Sequence, residues 1–206
     1  MQTVGGETLS EDTQPETADT DGDESMENGP PRRRLVLTVA CYLIAAAVIS
    51  LDQVTKALAL ANLDPADPVR ILGGLVYLDL TWNSGAAFSM FTDYTWALAI
   101  VAAAVVGFLI FLARKIVYPV WAIALGMVLG GAAGNLIDRL FQEPGFGQGH
   151  VIDFISVFEP DAQAFPIFNF ADSSLVCGVI LIVLLELTGR GFSPEARRAH
   201  REEKEK

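Results

Sequence analysis

The chain has 206 residues, 51% of them apolar, and a formal net charge of −11. The acidity is local: residues 1–31 carry nine acidic side chains and no Lys or Arg, which leaves 14 basic against 16 acidic residues (25 minus 9) in the remainder, with no basic stripe of the kind that binds nucleic acid. Four long uncharged runs exclude an ordinary soluble domain, because too little amphipathic sequence remains to cover a core built from them.

Residues 1–31 are rich in Glu, Asp, Thr, Gly and Pro and contain no aromatic side chain. Such a segment cannot bury enough surface to offset the entropy of ordering, so it reads as a disordered acidic tail. Arg32, Arg33 and Arg34 then open the first uncharged run, 35–51, and further runs cover 94–113, 119–137 and 173–185. A helix crossing the hydrocarbon core of a bilayer needs about 20 largely apolar residues. The expected spans are 35–61, 94–113, 119–137 and 172–188, which together make a membrane domain over 32–189, followed by a charged tail over 190–206. Between the first two spans, the stretch from Val69 to Trp82 is β-prone and holds the turn signal Gly73-Gly74, which predicts a short sheet. Segment 141–168 carries Pro144, Gly145, Gly147, Gly149, Pro160 and Pro166 and reads as loop with short extended pieces. Cys41 and Cys177 fall inside uncharged runs and read as small buried apolar side chains.

The basic residues orient the spans. Apart from Lys56, Arg70 and Arg139, all of the 14 Lys and Arg residues precede span one, separate spans two and three, or follow span four. Four crossings put them on one side, which the positive-inside rule makes the cytoplasm. Both termini are then expected inside, and segments 64–93 and 138–171 outside.

Ionisable residues close to the outer side form a pattern. Asp52 and Lys56 are four apart on one helix face. A rise of about 1.5 Å per residue from Arg34 places Asp52 near the outer end of span one. Asn135, Asp138 and Arg139 close span three, Asp153 lies in the outer loop, and Asp172 opens span four. Taken singly, each suits an interfacial ion pair or a helix cap; Asp172 beside Ser173 and Ser174 suits an N-terminal cap. Taken together, polar groups delivered to one level by several spans indicate a site. Ionisable groups at an interface, rather than at the midplane, disfavour a proton-coupled carrier. A non-enzymatic scaffold is the other reading; its outer carboxyls would be replaceable. Two close carboxyls cannot both ionise easily, so they share a proton, which suits hydrolysis by an activated water. His150 and His200 are far apart in the chain and form no cluster for a metal.

Five segments carry a resemblance. They are Asp52-Gln53-Val54-Thr55-Lys56, Asn83-Ser84-Gly85-Ala86-Ala87-Phe88, Gly134-Asn135-Leu136-Ile137-Asp138-Arg139, Val151-Ile152-Asp153-Phe154 and Phe168-Asn169-Phe170-Ala171-Asp172. In this order the chain resembles the lipoprotein signal peptidases, the signal peptidase II family, over roughly residues 35–188. The resemblance implies an α-helical integral membrane protein with four transmembrane helices and a small extracytoplasmic β-rich segment. It implies a multi-pass protein of a bacterial plasma membrane with its site at the extracytoplasmic face. The implied activity is that of an aspartic endopeptidase that cleaves diacylglyceryl-modified prolipoproteins just before the lipidated Cys. Asp153 and Asp172 match the catalytic dyad. Asp52, Lys56, Asn83, Gly85, Asn135, Asp138, Arg139 and Asn169 match positions that bind substrate or support the site. No metal and no organic cofactor are implied. The expected partners are the prolipoprotein and membrane lipid, with no nucleic acid, and the expected state is a monomer.

Overall fold

A computed structural model describes residues 31–85 and 95–204. The expected tail over 1–31 lies outside the described residues except for Pro31, which begins the first helix; Ala86, Ala87 and Phe88 of the second motif also lie outside. Among the described residues the elements run α1 (Pro31–Asn62), β1 (Val69–Ile71), a 3-10 turn (Leu72–Gly74), β2 (Val76–Asn83), α2 (Thr95–Ala113), α3 (Pro119–Phe141), β3 (Val151–Val157), α4 (Phe170–Leu187) and α5 (Pro194–Lys204). The helices α1 to α4 are long and apolar enough to cross a membrane. Their outward faces leave large apolar side chains uncovered, among them Leu35, Leu43, Phe108, Phe111, Ile180 and Leu187, as lipid-facing helices do.

The central helix is α3, with α1, α2 and α4 packed around it. Its small residues explain why. Gly126, Gly130 and Gly134 recur every four residues and so line one face. A Cβ at Gly130 would stand 2.6 Å from the Cβ of Val48, so α1 lies against bare backbone there. Without a hydrophobic force between helices in lipid, this close approach supplies the packing that holds them. On another face, Gly131 meets the backbone of Ala171 and Leu175 in α4.

The helix ends sort into two groups. At one end, Thr38 donates to Ala113 O at 3.0 Å and Trp121 Nε1 donates to Arg190 O at 2.8 Å. This end therefore gathers the segments that carry Arg32–Arg34, Arg114, Lys115 and Arg190. The tail after α4, read in sequence only as charged, folds back here as α5. Pro194 opens α5, where a missing N–H is harmless, and Arg197 stacks on Tyr118 at 3.2 Å from the ring centroid. The cysteines part company: Cys41 is buried as expected, but Cys177 is exposed, because it sits on the outer face of α4.

The other end carries the sheet. It is antiparallel in the order β1-β2-β3, and the Gly73-Gly74 turn joins β1 to β2 as predicted. β3 is a regular seven-residue strand where sequence suggested only short extended pieces; it is buried on both faces, which removes the alternation that marks a half-exposed strand. The pairing of β2 with β3 shifts by one residue between Leu78 and Thr81, a bulge in β2. After the shift Thr81 stands opposite Asp153. Residues just before α4 extend the sheet, since Phe168 exchanges backbone hydrogen bonds with Ile155 at 3.0 and 2.8 Å.

Candidate active site

Asp153 reaches the site from the middle of β3. Two positions along β2 from its partner Thr81, Asn83 points to the same face, and this diagonal spacing is within reach of side chains. Asn83 Nδ2 donates to Asp153 Oδ2 at 3.0 Å, and Asn169 Nδ2 donates to Asp153 Oδ1 at 2.7 Å. Asp153 is nearly fully buried. Burial, then the charge of Asp172, pushes its carboxyl up to about 7, against the opposing pull of the Asn83 and Asn169 hydrogen bonds and of Lys56.

Asp172 comes from the first turn of α4, but it is not the cap. Asn169 is the N-cap: its side chain accepts from Asp172 N at 2.9 Å, and Asp172 Oδ2 accepts from Asn169 N at 3.2 Å. The two form a reciprocal capping box. The second Asp172 oxygen, Oδ1, accepts from Asn135 Nδ2 at 2.7 Å. Asn169 therefore joins both acids: its backbone N–H donates to the Asp172 carboxyl and its side-chain carbonyl accepts from Asp172 N, while its amide donates to Asp153 and, at 3.0 Å, to Asn135 Oδ1. Asp153, Asp172, Asn83, Asn135 and Arg139 line one cavity of about 490 Å³ together with Phe168 and Val176.

Behind this pair lies a buried charge cluster. Lys56 Nζ is 2.8 Å from Asp52 Oδ2, 2.7 Å from Asp138 Oδ2 and 3.1 Å from Asn135 Oδ1. Asp52, Lys56 and Asp138 are at most 1% exposed, so the contacts are made without water. Each acid also grips a backbone N–H. Asp52 accepts from Ala171 N at 2.9 Å, one residue before Asp172, and Asp138 accepts from Ile152 N at 3.2 Å, one residue before Asp153. Arg139 donates to Gly85 O at 3.0 Å and to Asn135 O at 3.2 Å, while Asn83 Oδ1 accepts from Gly85 N at 3.0 Å. The structure thus brings all ten candidate residues into one connected region.

Two contributors were not singled out in the sequence. Gln53 Nε2 donates to Asp52 Oδ2 at 3.2 Å and to Asp138 Oδ1 at 3.1 Å; a polar side chain inside an apolar span, next to Asp52, was the available signal. Gly134 was quoted only as part of a motif. A Cβ there would meet Asp52 Oδ2 at 2.6 Å, so glycine makes room for that carboxyl.

Residues 44–188 match the family described as Signal peptidase (SPase) II. The chain is 48% identical over 178 residues to a protein of Mycobacterium avium named lipoprotein signal peptidase, covering 86% of this chain and 92% of that one. A protein of the same name from Mycolicibacterium smegmatis is 49% identical over 188 residues, covering 91% and 76% of the two chains. Among solved structures, one described as a bacterial membrane enzyme superposes with a TM-score of 0.64 at 30% identity, over 73% of this chain and 88% of that one. A second with the same description gives 0.60 at 31% identity, over 70% and 90%.

Proposed function

The chain belongs to the signal peptidase II family, and on that footing we propose that Asp153 and Asp172 are the catalytic dyad of an aspartic endopeptidase at the outer face of a bacterial membrane. Its activity is the removal of signal peptides from prolipoproteins, with the cut just before the lipidated Cys. The observation that carries the dyad is the pairing itself: two acids from different elements line one cavity and share Asn169, and burial, then the charge of Asp172, lifts the Asp153 carboxyl to about 7. Two carboxyls facing one cavity disfavour ionising together, which suits one as acid and one as base.

The chemistry follows. The ionised carboxyl takes a proton from water as the water oxygen bonds to the scissile carbonyl carbon. The protonated carboxyl donates to the carbonyl oxygen, whose charge is neutralised in the tetrahedral intermediate. Collapse breaks the C–N bond: the carbonyl re-forms as its proton returns to the carboxyl that gave it, and the leaving nitrogen of the lipidated Cys takes the proton first removed from water. The hydrogen bonds from Asn83, Asn135 and Asn169 hold both carboxyls in place throughout. The outer-face assignment is supported by charge: Arg32–Arg34, Arg114, Lys115 and Arg190 belong to the opposite ends of the helices, which the positive-inside rule assigns to the cytoplasm together with both termini.

The test is cleavage of a diacylglyceryl-modified precursor peptide in vesicles. Asp153→Asn and Asp172→Asn are each expected to lower turnover by roughly 10³-fold or more with the protein still in the membrane. The same precursor with an unmodified Cys should be cut far more slowly, since each buried CH₂ of the acyl chains contributes about 0.8 kcal/mol. Either aspartate variant retaining most of its activity would refute the dyad.

A further inference from the structure

A second cavity, of about 840 Å³, reaches Asp153 from another direction, lined among others by Asp79, Thr81, Asp161 and Gln163. The two cavities share Asn83, Asp153 and the segment Phe165-Pro166-Ile167, so they meet at a carboxyl of the dyad. Their walls differ in chemistry. The first is bounded by Val176 and Cys177 on the exposed, apolar face of α4. The second includes three carboxyl groups, of Asp79, Asp153 and Asp161, and neither Lys nor Arg among its described lining residues. Its wall is also fixed in place. Asp79, turned inward at the β2 bulge and only 3% exposed, accepts from Asp161 N at 2.6 Å, and Ser156 Oγ donates to Glu159 O at 2.7 Å.

We propose that this second cavity receives the polypeptide that follows the lipidated Cys, and that its carboxyl groups select against acidic residues there. The inference rests on the signal peptidase reading. Three parts of the substrate meet at the scissile bond: an apolar signal peptide, two acyl chains, and the mature polypeptide. The first two belong in hydrocarbon, which suits the cavity bounded by Val176. Only the third leads into water, and the second cavity offers polar walls continuous with Asp153 that include no residue of the apolar face of α4. Asp161 is exposed, so its charge acts through water, and the selection is a matter of several-fold rather than of orders of magnitude.

The experiment uses the full chain in neutral phosphatidylcholine vesicles and three diacylglyceryl precursors that differ only in the second and third residues after the Cys: two aspartates, two asparagines or two lysines. The aspartate precursor is expected to show a kcat/KM roughly fivefold or more below the other two. Asp161→Asn keeps the N–H that Asp79 holds and tolerates the left-handed φ of +57° at this position. It should bring the aspartate-to-asparagine ratio at least halfway to one. Independently, a photoreactive residue third after the Cys, on a precursor trapped by Asp172→Asn, should crosslink to residues 161–164. Equal rates on the three precursors, a ratio untouched by Asp161→Asn, or crosslinks confined to the Val176 face of α4 would overturn the groove while leaving the peptidase reading intact. Failure of the wild type to cut any of the precursors would overturn that reading itself.

Discussion

Asp153→Asn should make the protein inactive and, at alkaline pH, more stable. The Asp153 carboxyl is lifted from its ordinary 3.8 to about 7, a difference of about 3 pH units. At 1.36 kcal/mol each, these amount to roughly 4 kcal/mol. Between these values the folded chain holds a proton that the unfolded chain has released. The group therefore contributes fully to stability below about pH 4, and this contribution is lost as pH rises to 7. Above 7 the folded protein carries a buried carboxylate that burial and Asp172 both disfavour. Asparagine has the same shape and no charge, so it removes this term. It also turns an NH₂ toward one of two donors, Asn83 Nδ2 or Asn169 Nδ2, which costs about 1–2 kcal/mol. The net gain is about 2–3 kcal/mol at pH 8, and at pH 4 the variant is slightly less stable than wild type. Thermal unfolding in detergent from pH 4 to 9 gives the difference between variant and wild type directly. That difference should climb between pH 4 and 7 and then level off, and the climb should be smaller in an Asp172→Asn background. A difference independent of pH, or one that falls with rising pH, would refute the reasoning.

Three further outcomes are expected. The Asp153→Asn/Asp172→Asn double variant should cleave hardly less than either single variant, because the two acids act as a unit, whereas Glu159→Gln, exposed in the same outer segment, should cost little activity; additive losses in the same vesicle assay would speak against a dyad. Lys56→Met leaves Asp52 and Asp138 buried without their cation, a loss of about 3–5 kcal/mol, so folded yield in detergent should drop sharply, and an unchanged midpoint would contradict the cluster's role. Reporter domains fused after Ala61 and after Phe141 should report the outside of the cell, and a cytoplasmic signal from either would invert the topology.

Much of this was legible in the sequence because membrane constraints are coarse. Uncharged runs of about 20 residues mark spans whatever packs against them. The Gly73-Gly74 turn between β-prone stretches marked β1 and β2. What escaped depended on side-chain partners. β3 is buried on both faces, so Val151–Val157 shows no alternation, and the Gly and Pro residues on both sides of it favoured a loop reading. Asn169 followed three residues later by Asp172 is a capping-box spacing; reading Asp172 itself as the cap placed the cap three residues late, and Phe170 opens the helix two residues before the expected start at 172. α3 runs a turn past the expected 137 because Asp138 and Arg139, which look like an end in a hydropathy reading, find partners inside the bundle: Asp138 pairs with Lys56, and the two terminal nitrogens of Arg139 donate to Asn135 O and Gly85 O. The Gly126, Gly130 and Gly134 stripe was visible at its four-residue spacing, but apolar composition alone gives it no direction.

The buried cluster and the dyad are related by one residue of chain on each side. Asp52 holds the N–H of Ala171, and Asp172 follows; Asp138 holds the N–H of Ile152, and Asp153 follows. Lys56 contacts both Asp52 and Asp138, and so fixes how far apart the two gripped backbones stand. Three charges buried without water are a poor source of stability in themselves, since desolvation offsets most of their attraction. Their value is geometric. A dyad of the proposed kind works only if water and both carboxyls are held closely in place, and a flexible loop after β3 would not achieve this. Tying β3 and the start of α4 to α1 and α3 through one ammonium makes assembly of the bundle and assembly of the site a single event. A chain whose first helix had not yet packed against the third would lack both anchors, and its two aspartates would be held only by the side-chain amides of Asn83, Asn135 and Asn169.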